Sequence, residues 1–313
     1  MHWPARPSDD ELIAALARHA GGESARATGV RTERLPGGFV SEIVERLDIT
    51  FTSGDGPPRA AAYVRKPCLE REVRAMAFLP GVAGADAAPE LVASWAEDKA
   101  GGAAGFVSPF YPGGELHFGD PIPEAVVTTL ARIHVASEAA AIDWTWRFDA
   151  AKVDRLRDNA LQALSTTERF LQRFADPAAW RARLAHTSAS PALRQAAETL
   201  PRTLTHGDMH PGNLLRRADG SAVIIDWGNV CLAPAMLDLA NIVAIGSPLW
   251  DAYAWAYRAA GGAFDEAIAR RGFWWARAMT AVMYIPWAAA NSDRVTDLVE
   301  QAEAATAELT ALM

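Results

Sequence analysis

The 313-residue sequence predicts an α+β chain in two lobes: a small antiparallel β lobe with one main helix, then a larger, mainly helical lobe. Three observations carry this. Between about residues 31 and 66, apolar and polar residues alternate with the period of strands. From residue 124 onward, apolar residues recur mostly at helical spacing. Between these regimes stands Tyr111-Pro112-Gly113-Gly114, a break that no regular element tolerates well. The lobes are therefore taken as residues 1–110 and 111–313, the second carrying a helical insertion at about 145–200.

The elements follow in order. A helix is expected over residues 8–20: Ser8 suits an N-cap, Glu11 completes a capping box, and Asp9 and Asp10 suit the positive end of the helix dipole. Leu12, Ile13, Leu16 and Ala17 then share a face. Thr32 to Leu35 reads as a strand running into the turn Pro36-Gly37-Gly38. Ile43 to Phe51 alternates like a half-exposed strand, and Ser53 to Pro58 is a hairpin connection. Ala61 to Lys66 forms a third strand, ended by Pro67. The helix Leu69 to Leu79 follows, with Val73, Met76 and either Ala77 or Leu79 on its apolar face. Phe106 to Phe110 is the last strand of the small lobe. Beyond it come one amphipathic helix over Glu124 to Ser137, two or three more over 151–200, and helical structure from Trp250 to the end.

Composition narrows the partners. A net charge of -8 argues against nucleic acid, which demands basic surface. No stretch of eighteen uncharged apolar residues is present, so no membrane span is expected. The first twenty residues hold charges throughout and lack the apolar core of a signal peptide, so a cytoplasmic protein is expected. Cys68 and Cys231 have no metal-ligand spacing and read as reduced thiols. Only three lysines occur (Lys66, Lys99 and Lys152) against 27 arginines, which singles out each Lys.

The chemistry-bearing segment runs from His206 through Gly207, Asp208, Met209, His210, Pro211 and Gly212 to Asn213. A hairpin follows, turning at Ala218-Asp219-Gly220, and its apolar return strand delivers Asp226-Trp227-Gly228. Phosphoryl transfer needs positioning, cations on the phosphates and an acceptor for the hydroxyl proton. An Asp followed five residues later by an Asn, on a loop before a hairpin, can place a base beside a metal ligand. A second Asp at the end of the returning strand completes a hard-oxygen site suited to Mg²⁺. Two other readings compete: polar residues that only cap a turn, or a transition-metal site of His206, Asp208 and His210.

The segment resembles the aminoglycoside phosphotransferase and choline kinase family, which shares the protein-kinase-like fold. The pattern H-G-D-x-H-x-G-N, then (I/V)-D-(W/F), is matched from His206 to Trp227, and Asp238-Leu239-Ala240 matches the family's D-L-A. The resemblance covers roughly Arg31 to Asp238. It implies a protein-kinase-like two-lobed fold with Asp208 as catalytic base, Asn213 and Asp226 as Mg²⁺ ligands, and His206 and Asp238 as braces of the loop.

Further positions join that reading. A Lys on the third strand holds the α- and β-phosphates in such enzymes, oriented by a helix Glu. Lys66 is the candidate, with Arg65 opposite it in the strand alternation. Glu72 is its expected partner and Glu70 the competitor. Gly38 and Ser41 sit where a phosphate-covering loop would lie. Val107 to Phe110 resembles the segment that binds the nucleotide base; Pro109 has no N–H, so Ser108 or Phe110 must supply any donor. His134 reads as a structural helix residue. Trp250, Trp255, Tyr257, Phe273, Trp274, Trp275, Tyr284 and Trp287 read mostly as core, with one or two free to stack on a substrate.

The function expected is an ATP- or GTP-dependent O-phosphotransferase using Mg²⁺ and acting on a small-molecule hydroxyl, foremost an aminoglycoside or another sugar or nucleoside antibiotic. A metabolic kinase of choline, homoserine or a sugar is the alternative, and a nucleotide-binding pseudokinase a third. A monomer or homodimer is expected.

Overall fold

A computed structural model describes residues 5–35, 43–97, 103–138, 140–217, 219 and 221–313. In chain order its elements are α1 (Asp9–Gly21), β1 (Ala25–Leu35), β2 (Val44–Ser53), β3 (Arg59–Pro67), α2 (Glu70–Ala83), β4 (Ala93–Trp95), β5 (Gly105–Pro109) and α3 (Glu124–Glu138). Then come α4 (Ala150–Thr166), α5 (Glu168–Arg173), α6 (Pro177–Ser188), α7 (Pro191–Thr199), β6 (Thr203–Thr205), β7 (Leu214–Arg216), β8 (Ala222–Ile224) and β9 (Cys231–Ala233). The helices α8 (Pro248–Ala259), α9 (Glu266–Asn291) and α10 (Val295–Leu312) complete the chain. They form two compact units, residues 1–129 with 211–230, and residues 130–210 with 231–313.

The first unit is built on an antiparallel sheet in the order β1-β2-β3-β5-β4. Alternation along β2 buries Leu47, Ile49 and Phe51. Leu47 and Ile49 join Tyr63, Trp95 and Val107, and α1 lays Leu12 and Leu16 on the same core. The capping box is present: the Ser8 hydroxyl accepts from the Glu11 N–H at 3.3 Å, and the Glu11 carboxylate accepts from the Ser8 N–H at 2.9 Å.

Strand β1 starts well before the expected Thr32. Among the described residues it is an edge strand paired only with β2, and from Gly29 to Arg34 it is exposed throughout, so it shows no alternation to read. The three-residue β4 is too short for a periodic signal. The 151–200 region divides into four helices, because Pro177 and Pro191 open new ones where two or three were expected.

The Pro112-Gly114 break has a packing role within the first unit. Beyond it the chain runs beside β7: the Arg216 N–H donates to the Gly114 carbonyl at 2.9 Å, and the Leu116 N–H to the Leu214 carbonyl at 3.0 Å. A Cβ on Gly113 would lie 2.1 Å from the Arg216 carbonyl oxygen, which is fixed in that ladder. Gly113→Ala should therefore cost about 1–3 kcal/mol, as overpacking against backbone does. Thermal denaturation checks this; an unchanged melting temperature would show that the backbones part easily.

In the second unit β6 pairs antiparallel with β9. The 26-residue α9 is its central helix; Trp275 on it meets Phe148 at 4.8 Å between ring centroids and donates to the Leu193 carbonyl at 3.1 Å. Among the described residues, no helix is long and apolar enough to cross a membrane.

Candidate active site

Two groups of side chains carry the chemistry, one in each unit. In the first unit, the hairpin β7–β8 pairs Leu214 with Ile224, Leu215 with Val223 and Arg216 with Ala222. The ladder continues one step, with the Ile225 N–H donating to the Asn213 carbonyl at 2.9 Å. Asn213 and Asp226 therefore stand together at the open end of the hairpin. Asn213 closes a short 3-10 turn, Pro211 to Asn213, and is 6% exposed. Asp226 has φ 60° and ψ 56°, the left-handed conformation, and no other non-glycine residue among those described has positive φ. Asp tolerates this region better than most residues, and such strain is typical of functional sites.

Asp226 shares a cation with the β3–α2 connection. The Lys66 ammonium donates to Asp226 Oδ1 at 2.7 Å and to Glu72 Oε1 at 2.8 Å. Burial alone would push the Lys66 ammonium down, but the Glu72 and Asp226 carboxylates outweigh it and hold the group well above its ordinary range. Lys66 is therefore charged. Burial first, and then the Glu72 carboxylate, push the neighbouring Cys68 thiol up, so it stays protonated.

The geometry separates the paired candidates. Arg65 faces away from Lys66 along the strand and binds Glu45 at 2.7 Å and Asp9 at 2.9 Å. Glu70 pairs with Arg74 one turn on. Glu72, 3% exposed, lies in the first turn of α2 directly after the strand end, which is why a Lys-to-Glu interval of only six residues suffices.

Ser108 is buried in β5 opposite Val64. The Phe110 N–H donates to the Ala62 carbonyl at 2.9 Å, so the sheet already uses the donor expected to reach a base. The Phe110 ring lies 4.4 Å from the Arg46 guanidinium. Gly38 and Ser41 lie outside the described residues.

In the second unit, β6 delivers His206, Gly207 and Asp208. Asp238 is fully buried and holds this loop by its backbone: Oδ2 accepts from the His206 N–H at 2.8 Å, and Oδ1 from the Gly207 N–H at 3.1 Å. Gly207 has φ 81°, a conformation for which glycine is suited. The Asp208 N–H donates to His206 Nδ1 at 3.3 Å, and the Asn241 side-chain amide to the Met209 carbonyl at 3.2 Å. Behind Asp238 stands His134, its Nε2 3.2 Å from Asp238 Oδ2 and its Nδ1 2.8 Å from the Tyr253 hydroxyl. His134 is thus a buried part of the loop's support. On the loop itself, the Tyr284 phenol donates to Asp208 Oδ1. Burial, and then the Asp208 charge, push that phenol well above its ordinary range. The sequence named Tyr284 only as one of eight C-terminal aromatics and did not name Tyr253. A helical aromatic bound for a polar partner looks in sequence like one bound for the core.

Asn213 and Asp226 offer one amide and one carboxylate oxygen. That donor set fits Mg²⁺, which takes one or two carboxylates and completes its shell with water and phosphate. Among the described residues, no three His, Cys, Asp or Glu side chains are grouped to hold a metal, so a transition-metal site at His206, Asp208 and His210 has no support.

A sequence profile described as the phosphotransferase enzyme family matches residues 58–274, more than half of the chain. Among solved structures, the chain is similar to a macrolide 2'-phosphotransferase from Brachybacterium faecium, at 18% identity and TM-score 0.50, covering 97% of this chain and 98% of that one. It is similar to a spectinomycin phosphotransferase in complex with ADP and spectinomycin, at 14% identity and TM-score 0.52, covering 98% and 99%. It is also similar to an ethanolamine kinase from Plasmodium vivax, at 13% identity and TM-score 0.52, covering 91% and 83%. At such identities the likeness is one of fold, the two-lobed kinase-like α+β architecture. No curated protein sequence matches the chain.

Proposed function

The chain belongs to the phosphotransferase enzyme family, and on that premise we propose that it moves the γ-phosphoryl group of ATP or GTP directly onto a hydroxyl of a small molecule, foremost an aminoglycoside or another sugar or nucleoside antibiotic. The observation that carries this reading is the ion triad of Lys66, Glu72 and Asp226, set at the hairpin end that also holds Asn213. A buried cation aimed at a carboxylate next to a second oxygen ligand suits a polyphosphate and its counter-ion.

Each residue then has a task. Lys66, kept charged and oriented by Glu72, neutralises phosphate oxygens. Asn213 and Asp226 would hold Mg²⁺, which when bound offsets the negative charge of the phosphates. Asp208 orients the acceptor hydroxyl and takes its proton as the oxygen–phosphorus bond forms and the bond to the nucleoside diphosphate breaks. Asp238, braced by His134, keeps the loop of Asp208 in place.

A kinase of a metabolic alcohol such as choline, homoserine or a sugar is the second reading, supported by the equal likeness to an ethanolamine kinase. One coupled assay tests both. ATP and GTP are offered with aminoglycosides, nucleoside antibiotics, choline, homoserine and sugars, with Asp208→Ala as control. Turnover of a drug-like polyol that Asp208→Ala abolishes is the expected result. Turnover of only a small metabolite would select the second reading, and no nucleotide binding at all would overturn both.

A further inference from the structure

We propose that the second unit carries a binding site for the ammonium group of a small primary amine, in a cavity between α8, the start of α9 and the first residue of β6. The cavity measures about 90 Å³, the liquid volume of about three waters. Tyr253, Tyr257, Phe264 and Met236 give it ring and thioether walls. Among the described residues, none that has a task in phosphoryl transfer lines it, so the site stands apart from that reading. It is not remote from it, however. The Tyr253 ring is a wall of the cavity, and its hydroxyl lies 2.8 Å from His134 Nδ1, so an occupant sits against the support of the Asp208 loop.

Three polar side chains set the chemistry. Glu138, at the end of α3, and Asp265, the N-cap of α9, are exposed and stand at the mouth. Thr203, 1% exposed, lies at depth. Among the described residues, no Lys, Arg or His lines the cavity, so its field is that of two carboxylates. The Tyr257 phenol donates to Glu138 Oε1. Burial, and then this bond to Glu138, push the phenol well above its ordinary range, so it keeps its proton and adds no charge. One donor does not saturate a carboxylate, which has about four lone-pair sites. The Thr203 hydroxyl has no hydrogen-bond partner among the described residues. A buried hydroxyl is costly to leave so.

An ammonium answers each of these features. It has three donors and no acceptor, so it can bond both the Thr203 hydroxyl and the Glu138 carboxylate. Its charge is favoured beside aromatic rings. Phe264 already receives one cation, the Arg258 guanidinium 5.0 Å from its centroid, from outside the cavity lining. An anion would meet two carboxylates, and a neutral alcohol would gain nothing from them. The volume admits a short alkyl chain and excludes a sugar ring.

NMR titration of the ¹⁵N-labelled full chain tests this with n-propylammonium, 1-propanol and propionate, which share a three-carbon chain and differ in charge. The expected result is a saturable shift of the amides of Tyr253, Tyr257 and Phe264 by propylammonium. Its affinity should exceed that of 1-propanol by about tenfold or more, and propionate should not bind. Glu138→Gln keeps an acceptor for the Tyr257 phenol and removes the charge. It should weaken propylammonium by about 3–10-fold and leave 1-propanol unchanged. Thr203→Val removes the hydroxyl within the same shape. It should weaken propylammonium too, with a melting temperature unchanged or raised, because an unpaired buried hydroxyl is gone. Equal affinity for propylammonium and 1-propanol would reduce the site to an apolar void and overturn the proposal. So would the absence of saturable binding by propylammonium, or a Glu138→Gln chain that binds it as tightly as the parent. None of these outcomes depends on phosphoryl transfer, so that reading and this one fail separately.

Discussion

Replacing Asp208 by Asn should lower turnover by about 10²–10⁴-fold while leaving nucleotide affinity within about twofold, the range expected when a general base is lost. The substitution is close to isosteric. The amide oxygen can still accept from the Tyr284 phenol, and the backbone of the loop stays on Asp238. What Asn cannot do is take a proton. Nucleotide binding is assigned to Lys66, Asn213 and Asp226, whose side chains the change leaves as they are. Steady-state kinetics and nucleotide titration together check this. Near-full turnover would mean that another group, or no group, accepts the proton.

Lys66→Ala is expected to act on both binding and stability. Its ammonium is a partner of Glu72, whose carboxylate is 3% exposed. Breaking such a pair from one side costs about 3–5 kcal/mol. Asp226 would lose the same contact but is 42% exposed, so water compensates it in part. Arg65→Ala gives the contrast: its partners Glu45 and Asp9 are 25% and 72% exposed, and the loss should stay near 0–1 kcal/mol with nucleotide affinity unchanged. Combining Lys66→Met with Glu72→Gln should recover much of the lost stability, because both buried charges are gone, but none of the nucleotide affinity. Denaturant melts and nucleotide titration of these variants decide the matter. If Arg65→Ala weakened nucleotide binding as much as Lys66→Ala, the phosphate-holding cation would be wrongly assigned.

What the sequence made legible follows from how local each signal is. The capping box at Ser8 and Glu11 is a four-residue pattern, and it forms as written. The hairpin carrying Asn213 and Asp226 is likewise local, with its turn chemistry and apolar return strand visible in line. Lys66 stood out because lysine is scarce here, but its partner stayed open between Glu72 and Glu70, which lie two residues apart in the first turn of α2 and which only the contacts to Lys66 and Arg74 separate. Contacts made across the chain gave no such signal. Tyr284 reaches a residue 76 positions away. Gly113 looked like a break between lobes, yet it is small because the Arg216 carbonyl lies against it. Strand β1 was legible only at its end, because an exposed edge strand needs no alternation.

The unit that holds Lys66 is not continuous in sequence, since residues 211–230 return to it after an excursion of about eighty residues. That has a consequence for the nascent chain. At a synthesis rate of about 5–20 residues per second, the 160 positions between Lys66 and Asp226 take roughly ten to thirty seconds to make. The five-stranded sheet and the Lys66–Glu72 pair are encoded early and can assemble as they emerge from the ribosome. The hairpin that completes the triad arrives only afterwards and must dock onto a sheet already folded. A fragment ending near residue 129 would thus carry the phosphate-binding lysine, but not the carboxylate and amide that complete its site.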